Sequence, residues 1–332
     1  MKKLNVGILG GGYMGGLHAN VLAGLHGVNV AAVCSVPLES AARVASLVPA
    51  PQPQVFTDFH RMIDSVALDA LFICLPPFAH DGQFEAAARK GIHIFIEKPI
   101  ALDVARGAGM ARAAKKAGII TQVGYHMRYG AAVRRLKMLI EHGTAGMPAL
   151  FDGRFDCNSL HGPWWRDKSK CGGQVFEQLI HIYDLSTYLL GQPAAVAGFT
   201  ANLCHKDVPD YTVEDTSAVA LRFKSGALAN ISGSNCAVPM QWNSTFTVVC
   251  AHLTAHFANP NAAQFIFTKG KEPRIEAIAN ETNMYEAEDR AFINAIRKGK
   301  AAGATIDDGL TSLKMVSGVM ASAAANGKPV AV

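Results

Sequence analysis

The chain has 332 residues, of which 50% are hydrophobic and 17% are charged, so it can form a sizeable core and carries no disorder signature. Its net charge of +5 is spread along the chain, which argues against a basic surface for nucleic acid. No apolar run reaches membrane length, and the first predicted strand begins without an apolar signal core. We therefore expect a soluble, cytoplasmic protein of two domains, with no nucleic-acid or membrane partner.

The seven cysteines, at positions 34, 74, 157, 171, 204, 236 and 250, contain no Cys-x-x-Cys pair. This pattern is typical of reduced, mostly buried thiols in an intracellular protein. His252 and His256 have the spacing of two metal ligands on a helix, but the β-branched residues before them predict a hairpin instead. The sequence therefore predicts no metal site.

A glycine-rich turn follows the first predicted strand, Leu4–Leu9. Gly10, Gly12 and Gly15 form a G-x-G-x-x-G pattern in front of a predicted helix, Leu17–Ala23. In this context the glycines allow a tight turn, approach to a pyrophosphate and close helix packing, while the helix N-terminus offers N–H groups to the phosphates. The pattern predicts dinucleotide binding.

The second predicted strand, Val28–Cys34, is followed by Ser35, where NAD-binding domains usually carry an acidic residue. Such an acid accepts the ribose 2′-hydroxyl and repels a 2′-phosphate, and Ser35 does neither strongly. Alternatively, Ser35 is the N-cap of the next helix, with Pro37 in its first turn. Arg43 lies about two helical turns further on, so no cation is expected beside Ser35. The choice between NAD and NADP stays open.

Two further predicted strands end in residues capable of chemistry. Asp69–Leu75 is followed by Pro76-Pro77 and by His80, which either lines the nicotinamide pocket or caps the next helix. Ile92–Ile96 is followed by Glu97-Lys98-Pro99, and the proline places the acid and the base at the rim of the sheet. Ligands of open α/β sheets bind outside the carboxyl ends of the strands. Glu97 and Lys98 therefore form either an ordinary ion pair or part of an active site.

The fold class follows from the order of the predicted elements. With a fifth strand at Ile119–Val123, the first 123 residues alternate strands and helices, which predicts a Rossmann domain with a doubly wound parallel sheet. The strands predicted after about residue 145 are Ala149–Cys157, Ala195–Leu203, Ser217–Phe223, Ala227–Ser232 and Phe246–Val249. We therefore expect an α/β protein in which residues 124–332 form an α+β domain with a mostly antiparallel, open-faced sheet.

One strong helix, Gln174–Leu190, interrupts the strands of this second domain. Glu177, His181, Asp184 and Tyr188 fall on one of its faces, in an otherwise apolar sequence. Buried acids and a histidine are costly unless they have partners. The stripe is therefore either a satisfied polar network in the core or a substrate site.

Together these motifs resemble the glucose–fructose oxidoreductase/inositol dehydrogenase (Gfo/Idh/MocA) family over nearly the whole chain. The matching motifs are Gly10-x-Gly12-x-x-Gly15, Pro76-Pro77 with His80, Glu97-Lys98-Pro99, Gly124-Tyr125-His126-Met127-Arg128-Tyr129, and Gly172-Gly173 followed by Glu177, His181 and Asp184. The resemblance implies an NAD(P)-dependent oxidoreductase acting on a sugar, cyclitol or related polyol, with Lys98 and His181 at the chemistry.

The chain departs from the usual family pattern in three places. Ser35 replaces the common Asp, and Glu177 stands where many members have Asp, which gives a longer reach with the same charge. Gly130 and Ala131 replace an acidic residue and a proline, so the loop into the second domain is expected to differ.

The site residues expected on these grounds form three groups. Catalysis is assigned to Lys98, His181 and Glu177. Cofactor contacts are assigned to Gly10, Gly12, Tyr13, Met14, Gly15, Ser35, Leu75, Pro76, His80, Glu97 and Lys98. Substrate contacts are assigned to Lys98, Tyr125, His126, Arg128, Trp164, Arg166, Glu177, His181 and Asp184. Trp165 and Lys170 belong to the same loop as Trp164 and Arg166, and that loop is alternatively a surface segment with buried tryptophans.

The expected reaction is oxidation of a secondary alcohol, in which a base removes the hydroxyl proton while hydride leaves to the nicotinamide. Burial can lower the pKa of a lysine towards neutrality, and histidine titrates near it, so Lys98 and His181 are expected to converge on one hydroxyl. A non-catalytic cofactor-sensing regulator and a glycosidase-like enzyme that uses NAD transiently are the alternatives. The open sheet predicts a homodimer or homotetramer.

Overall fold

Internal contacts divide the chain into two compact units. The computed structural model describes residues 3–332. The first unit contains the N-terminal part through Ala101, with Ala105–Tyr125 and Tyr285–Leu310, and the second contains Leu102–Val104, His126–Met284 and Thr311–Val332. The sequence predicted a single boundary, between residues 123 and 124. Hydrophobic periodicity indicates that a helix forms near residue 285, but it does not indicate that this helix packs in the core of the first unit.

The first unit is organised around a parallel sheet, which has six strands in the described residues. The strands are β1 (Leu4–Leu9), β2 (Val28–Cys34), β3 (Gln54–Phe56), β4 (Ala70–Ile73), β5 (His93–Ile96) and β6 (Thr121–Val123). Their spatial order is β3-β2-β1-β4-β5-β6, so the predicted doubly wound sheet is confirmed. The sequence missed β3, because this edge strand has three residues, two of them exposed, and therefore no burial pattern.

Five helices connect these strands: α1 (Tyr13–Gly24), α2 (Leu38–Ala45), α3 (Phe59–Ser65), α4 (Gln83–Arg89) and α5 (Val104–Ala117). In the core, the rings of Phe72 on β4 and Phe95 on β5 stack with their centroids 4.6 Å apart. Phe292, from the helix Met284–Lys298, meets both rings edge-on at 5.6 and 5.9 Å. This helix, although it comes near the end of the sequence, therefore completes the core of the first unit.

The second unit contains a mixed sheet, with nine strands among residues 3–332. The strands are β7 (Pro148–Cys157), β8 (Pro193–Ala201), β9 (Thr216–Phe223), β10 (Leu228–Ser234), β11 (Trp242–Cys250), β12 (Leu253–Asn259), β13 (Ala262–Phe267), β14 (Arg274–Ile278) and β15 (Val330–Ala331). Their order is β14-β13-β12-β11-β7-β10-β9-β8-β15, and only β7 and β10 pair in parallel. The mostly antiparallel sheet predicted from the sequence is confirmed, although β13 to β15 were not predicted.

The remaining helices are α6 (Ala131–Glu141), α7 (Pro163–Arg166), α8 (Lys168–Cys171), α9 (Ile180–Leu190), α10 (Met284–Lys298) and α11 (Ile306–Ala324), with a π-helix at Val175–Leu179. The hairpin predicted around His252 and His256 is confirmed, because β11 and β12 pair antiparallel and His256 contacts Thr247 across them. Among the helices of the described chain, none combines the length and the apolar content needed to span a bilayer.

One face of the second sheet is covered by the π-helix and α9. Gly233 on β10 leaves room for Leu179, and Gly153 on β7 leaves room for Ile182; a β-carbon at either glycine would lie within 3.0 Å of these side chains. On the opposite face, Leu150 and Leu228 are register partners and are 36% and 53% exposed. The alternation of buried and exposed residues along these strands therefore produces one covered face and one open face.

Candidate active site

The glycine turn between β1 and α1 has the geometry of a phosphate-binding loop. Gly10 has φ +119°, a value that only glycine adopts readily, and a β-carbon there would collide with the Cys74 carbonyl. Gly12 differs, because a β-carbon there would meet no atom of the described residues 3–332 within 4 Å, apart from its chain neighbours. Gly12 is also the N-cap of α1, so no side chain caps the first N–H groups of that helix. This open N-terminus fits the pyrophosphate of a dinucleotide.

Ser35 lies at the carboxyl end of β2 and is tied to the glycine turn. Its Oγ accepts a hydrogen bond of 2.9 Å from the Gly11 N–H and lies 2.8 Å from Oγ of Ser40. The Ser40 hydroxyl also donates to the Pro37 carbonyl at 2.7 Å, so its single proton is used there and Ser35 is the donor to Ser40. The alternative that Ser35 caps α2 is wrong, because the N-cap is Pro37.

Arg43 lies much closer to the glycine turn than the sequence suggested. Its guanidinium donates a hydrogen bond to the Gly11 carbonyl, the same residue whose N–H binds Ser35. Ser40 and Arg43 are three residues apart on α2, so both project from one face of the helix. The expectation that no cation lies beside Ser35 is therefore wrong: distance along the helix was mistaken for distance in space.

Glu97 directly follows β5 and is held by a buried histidine, and Lys98 is the next residue. Oε1 of Glu97 accepts a hydrogen bond of 3.0 Å from Nε2 of His18, and Oε2 accepts one of 3.2 Å from the Lys98 backbone N–H. Nδ1 of His18 lies 2.9 Å from both carboxylate oxygens of Asp289. Glu97 is 6% exposed, so it is a fixed carboxylate that positions the backbone of Lys98.

His18 and Glu288 have strongly shifted pKa values in this cluster. Burial alone lowers the pKa of an imidazole, but the Asp289 and Glu97 carboxylates raise the pKa of His18 to about 10, so both ring nitrogens donate. Burial, with the nearby charges of Glu97 and Asp289, raises the pKa of Glu288 well above its usual range. Within residues 3–332, no hydrogen-bond partner reaches either carboxylate oxygen of Glu288, which fits a neutral acid.

His80 does not cap the helix that follows it, because the N-cap of α4 is Gly82. Its Nδ1 lies 2.9 Å from the Ile100 carbonyl, and the ring is 4% exposed. Burial lowers the pKa of His80, so the ring is neutral and Nδ1 donates to the carbonyl. Of the alternatives weighed from the sequence, a role beside the nicotinamide remains a prediction.

The other expected cofactor and substrate residues of the first unit differ in exposure. Tyr13, in the first turn of α1, is 81% exposed, whereas Tyr125 is 1% exposed. Met14, Leu75 and Pro76 are partly buried. Cofactor or substrate contacts by these residues stay predictions.

In the second unit, Glu177 and His181 belong to different kinds of helix. Glu177 lies in the π-helix, where the hydrogen-bonding step is longer, and His181 lies in the first turn of α9. The single α-helical face predicted for both residues therefore holds only from His181 onwards. The ring of His181 is 6% exposed and meets the ring of His126 edge-on, with the centroids 4.6 Å apart. Short π-helical segments frequently occur at functional sites.

Glu214, which the sequence analysis did not select, supports the start of the π-helix. Its Oε1 accepts a hydrogen bond of 2.9 Å from the Val175 N–H, and Gly173 leaves the space that this carboxyl occupies. Burial raises the pKa of Glu214. It lies 39 residues from Val175 along the chain, so only the fold reveals the pairing.

Asp184 and Arg128 form a buried bidentate ion pair. Nε and one terminal nitrogen of Arg128 donate to the two Asp184 oxygens at 2.7 and 2.6 Å, and the side chains are 5% and 1% exposed. The guanidinium also lies over the Tyr188 ring, 4.8 Å from its centroid. Both residues were predicted to bind substrate. The contacts correspond to the alternative of a satisfied polar network, and substrate binding by these two residues stays a prediction.

The loop around α7 is held by its own arginine. Arg166 donates to the Leu160 carbonyl at 2.9 Å and to the His161 carbonyl at 3.2 Å. Trp165 is 4% exposed and packs in a small apolar cluster, whereas Trp164 is only partly buried. Lys170 forms an ion pair of 3.1 Å with Asp167. Trp164 is thus the member of this loop best placed to contact a ligand.

Gly130 and Ala131, where the chain departs from the family pattern, have a structural explanation in the second unit. A β-carbon at Gly130 would collide with the Pro260 carbonyl, which accepts from the N–H groups of Ala132 and Val133. The Ala131 N–H donates to Asn261 at 2.9 Å, a bond that a proline would lack.

Comparisons with known proteins agree with this geometry. Residues 4–125 match the family model for the NAD-binding Rossmann fold of the Gfo/Idh/MocA oxidoreductases, and residues 133–256 match the model for a Gfo/Idh/MocA C-terminal domain. The uncharacterized oxidoreductase YrbE of Bacillus subtilis is 25% identical, over 100% of this chain and 97% of that protein. The myo-inositol 2-dehydrogenase of Thermotoga maritima is 28% identical, over 71% of this chain and 70% of that protein.

Among solved structures, levoglucosan dehydrogenase in complex with NADH and L-sorbose has the same fold. Its TM-score is 0.91 at 22% identity, over 100% of this chain and 99% of that chain.

Proposed function

The chain belongs to the Gfo/Idh/MocA family of oxidoreductases, and we propose that it transfers hydride between a nicotinamide cofactor and a secondary hydroxyl or carbonyl of a sugar, cyclitol or related polyol. The observation that carries this proposal is Lys98. It stands at the carboxyl end of a central strand of the dinucleotide-binding unit, and its backbone is fixed by Glu97 and His18. A relative that acts on myo-inositol supports the substrate class.

In this reaction the side chains of the protein carry out the proton transfer. When bound, the nicotinamide supplies the hydride acceptor or donor. Lys98 takes the proton from the substrate hydroxyl during oxidation and returns it during reduction, which is the role of a positioned general base or acid. Because Oε2 of Glu97 holds the Lys98 N–H, the main chain from which the amine extends is fixed before substrate arrives.

His181, which belongs to the second unit, is the second acid–base group of the proposed reaction. Its ring is restrained by the edge-on contact with His126, and a restrained imidazole is the common general acid–base group near neutral pH. Glu177, which lies in the π-helix that precedes α9, orients the imidazole or binds a neighbouring hydroxyl. Replacing His181 with Asn should therefore lower kcat while leaving cofactor affinity unchanged.

For the cofactor, we propose that both NAD and NADP bind and that Arg43 favours NADP. A 2′-phosphate needs hydrogen-bond donors and positive charge, and the Arg43 guanidinium supplies both. No acidic residue stands at the Ser35 position to repel it. The finding that supports this choice is the Arg43 guanidinium beside the glycine turn.

The experiment that tests the function is a panel assay. Sugars, cyclitols and their oxidised forms are supplied with each cofactor, and formation or loss of the reduced nicotinamide is followed by its absorbance. Net turnover with at least one polyol is the expected result. Cofactor binding without turnover on any member would favour a regulator, and sugar release without net change in the cofactor would favour a glycosidase-like enzyme.

We also propose that the open sheet face of the second unit joins a second copy of the chain. Leu150, Phe199 and Leu228 are exposed on its strands, and monomers rarely leave such an apolar face uncovered. Light scattering at micromolar concentration should give a dimer or tetramer. A single monomeric species would contradict this part of the proposal.

A further inference from the structure

Four potential metal ligands, none of them among the residues assigned above, meet at one end of the second unit. Cys204 and His205 follow β8, Asp215 directly precedes β9, and Cys236 lies two residues after the end of β10. Because β8, β9 and β10 are neighbours in the sheet, their connecting segments converge at the same edge. Cys204 is exposed and Asp215 is buried, so the cluster lies just beneath the surface.

The distances within this cluster are close to those of a tetrahedral site. Sγ of Cys204, Sγ of Cys236 and a carboxylate oxygen of Asp215 all lie within 4.8 Å of one another. Nδ1 of His205 is 3.2 Å from Oδ2 of Asp215 and 3.8 Å from Sγ of Cys236. With Zn–S of about 2.3 Å and Zn–N or Zn–O of about 2.0 Å, ligand atoms of a tetrahedron are separated by roughly 3.3–3.8 Å. Small side-chain movements would therefore complete the coordination.

The backbone already holds the Asp215 carboxylate in place. Its oxygens accept hydrogen bonds from the N–H groups of Leu203, Cys204 and His205 at 2.7–3.1 Å. This arrangement fixes the segment that carries Cys204 and His205 against the start of β9. Ligating carboxylates in metal sites are commonly hydrogen-bonded in this way.

We propose that Cys204, Cys236, Asp215 and His205 bind one thiophilic divalent metal ion, with zinc as the best match. Two thiolates select soft or borderline metals, and the mixed sulfur, nitrogen and oxygen set suits tetrahedral zinc. On binding, each thiol releases its proton to solvent, and the His205 proton that now bridges Nδ1 and Asp215 moves to Nε2. With all four positions filled by protein, the role of this ion is structural.

Such an ion would join two long irregular segments to the sheet. His205 stacks on Tyr211 with the ring centroids 4.6 Å apart, and the Tyr211 hydroxyl accepts from Asn235, which precedes Cys236. The ion would therefore connect the segment after β8 and the segment after β10 through residues already in contact. Segments without regular structure gain most from a crosslink of this kind.

The competing fate of the two thiols is a disulfide, which forms only with an oxidant such as a peroxide and needs the sulfurs about 2.05 Å apart. A metal site and a disulfide exclude each other, and both can be observed directly. The test therefore uses the full-length protein, kept reduced with a phosphine and stripped with a chelator that is then removed.

The probe is Co²⁺ alone, whose visible spectrum reports tetrahedral thiolate ligation. One equivalent should produce thiolate-to-cobalt absorption, which one equivalent of Zn²⁺ should abolish. Cys204→Ser and Cys236→Ser should each lose this absorption, while the matched control Cys250→Ala, which removes a buried thiol outside the cluster, should keep it. Saturating Zn²⁺ should raise the melting temperature of wild type by roughly 5 °C and that of either serine variant hardly at all.

Circular dichroism and dinucleotide binding verify that each variant is folded, and Cys204→Ser, at an exposed position, is the variant least affected by packing. Absence of thiolate-to-cobalt absorption in the reduced wild type would overturn the proposal. Absorption as strong as that of wild type in Cys204→Ser or Cys236→Ser would also overturn it, as would a Cys204–Cys236 disulfide that persists in the phosphine-treated protein.

Discussion

His18 donates a hydrogen bond of 3.0 Å from Nε2 to Oε1 of Glu97, which joins the first helix after the glycine turn to the strand end that carries Lys98. The other ring nitrogen donates to Asp289 on α10. One buried imidazolium therefore connects three segments of the dinucleotide-binding unit. It also compensates two carboxylates that would be costly to bury alone.

Replacing His18 with Leu should destabilise the protein by roughly 3–5 kcal/mol, because Glu97 and Asp289 would then be buried without a counter-charge. Chemical denaturation measures this loss, and His26→Leu, at an exposed position, should change stability little. His18→Gln keeps one donor and should lose less. In the folded His18→Gln enzyme we expect kcat to fall more than cofactor affinity, because the Lys98 main chain is no longer fixed. Unchanged stability in His18→Leu would contradict this view.

Glu288 makes the stability of the first unit decrease as pH rises. Its pKa is raised on folding, so its contribution is fully present below its unfolded pKa of about 4.5 and declines as pH rises through the raised folded value. His18 has the same sign, from 6.5 unfolded to about 10 folded. Glu288→Gln, a neutral isostere, should therefore match wild type near pH 5 and gain stability over it as pH increases.

Thermal melts of wild type and Glu288→Gln, recorded at increasing pH from pH 5 upwards, measure this difference in stability. Glu281→Gln is the matched control, since this carboxyl is exposed, and its melting curve should follow wild type at every pH. A constant difference between Glu288→Gln and wild type at all pH values would show that Glu288 is ionised or solvated in the native protein.

Much of the fold was predictable because local signals and tertiary structure agree. The strand from Leu4 to Leu9, the glycine turn and the edge with Lys98 follow from apolar runs and turn residues that need no distant partner. By contrast, the His18–Glu97–Asp289 cluster joins residues 79 and 271 positions apart, and no periodicity links them.

The errors have physical causes of the same kind. Arg43 was judged by its distance along a helix, although that helix returns to the glycine turn. Glu177 was placed on an α-helical face, although a π-helix occupies that segment, and hydrophobic patterns do not distinguish the two. Cys204 and Cys236 are far apart in the sequence and meet only because the strands beside them are neighbours in the sheet. The spacing of the cysteines along the chain could therefore not reveal this cluster.

Cofactor preference should depend on two residues with opposite effects. Ser35→Asp should shift preference towards NAD, by accepting the 2′-hydroxyl and repelling a 2′-phosphate. Arg43→Ala should weaken NADP binding by about 10–100-fold and NAD binding far less, because a charge-assisted hydrogen bond is lost. Fluorescence titration of both cofactors measures this, with Arg61→Ala, an exposed arginine on α3, as the control. An equal loss of affinity for both cofactors in Arg43→Ala would show that Arg43 only stabilises the glycine turn.

The Arg128–Asp184 pair should act mainly on stability. Asp184→Asn or Arg128→Met leaves a buried charge unpaired and should cost roughly 3–5 kcal/mol in chemical denaturation. Arg135→Met removes a similar but partly exposed pair with Glu276 in the same unit and should cost about 1 kcal/mol or less. If Asp184→Asn keeps wild-type stability but raises KM for the polyol, the pair instead belongs to the substrate site.

The most direct test of the proposed chemistry is the turnover number of Lys98→Met with the best substrate of the polyol panel. The dissociation constant of the dinucleotide is measured for the same variant. Lys90→Met, which replaces an exposed lysine elsewhere in the first unit, is the control. Methionine preserves side-chain bulk but removes the proton carrier. We predict that kcat falls by about 10²–10⁴-fold while the dissociation constant of the dinucleotide hardly changes, because the glycine turn holds the phosphates. Turnover near that of wild type would contradict the account and leave Glu97 and Lys98 as a structural element of the sheet edge.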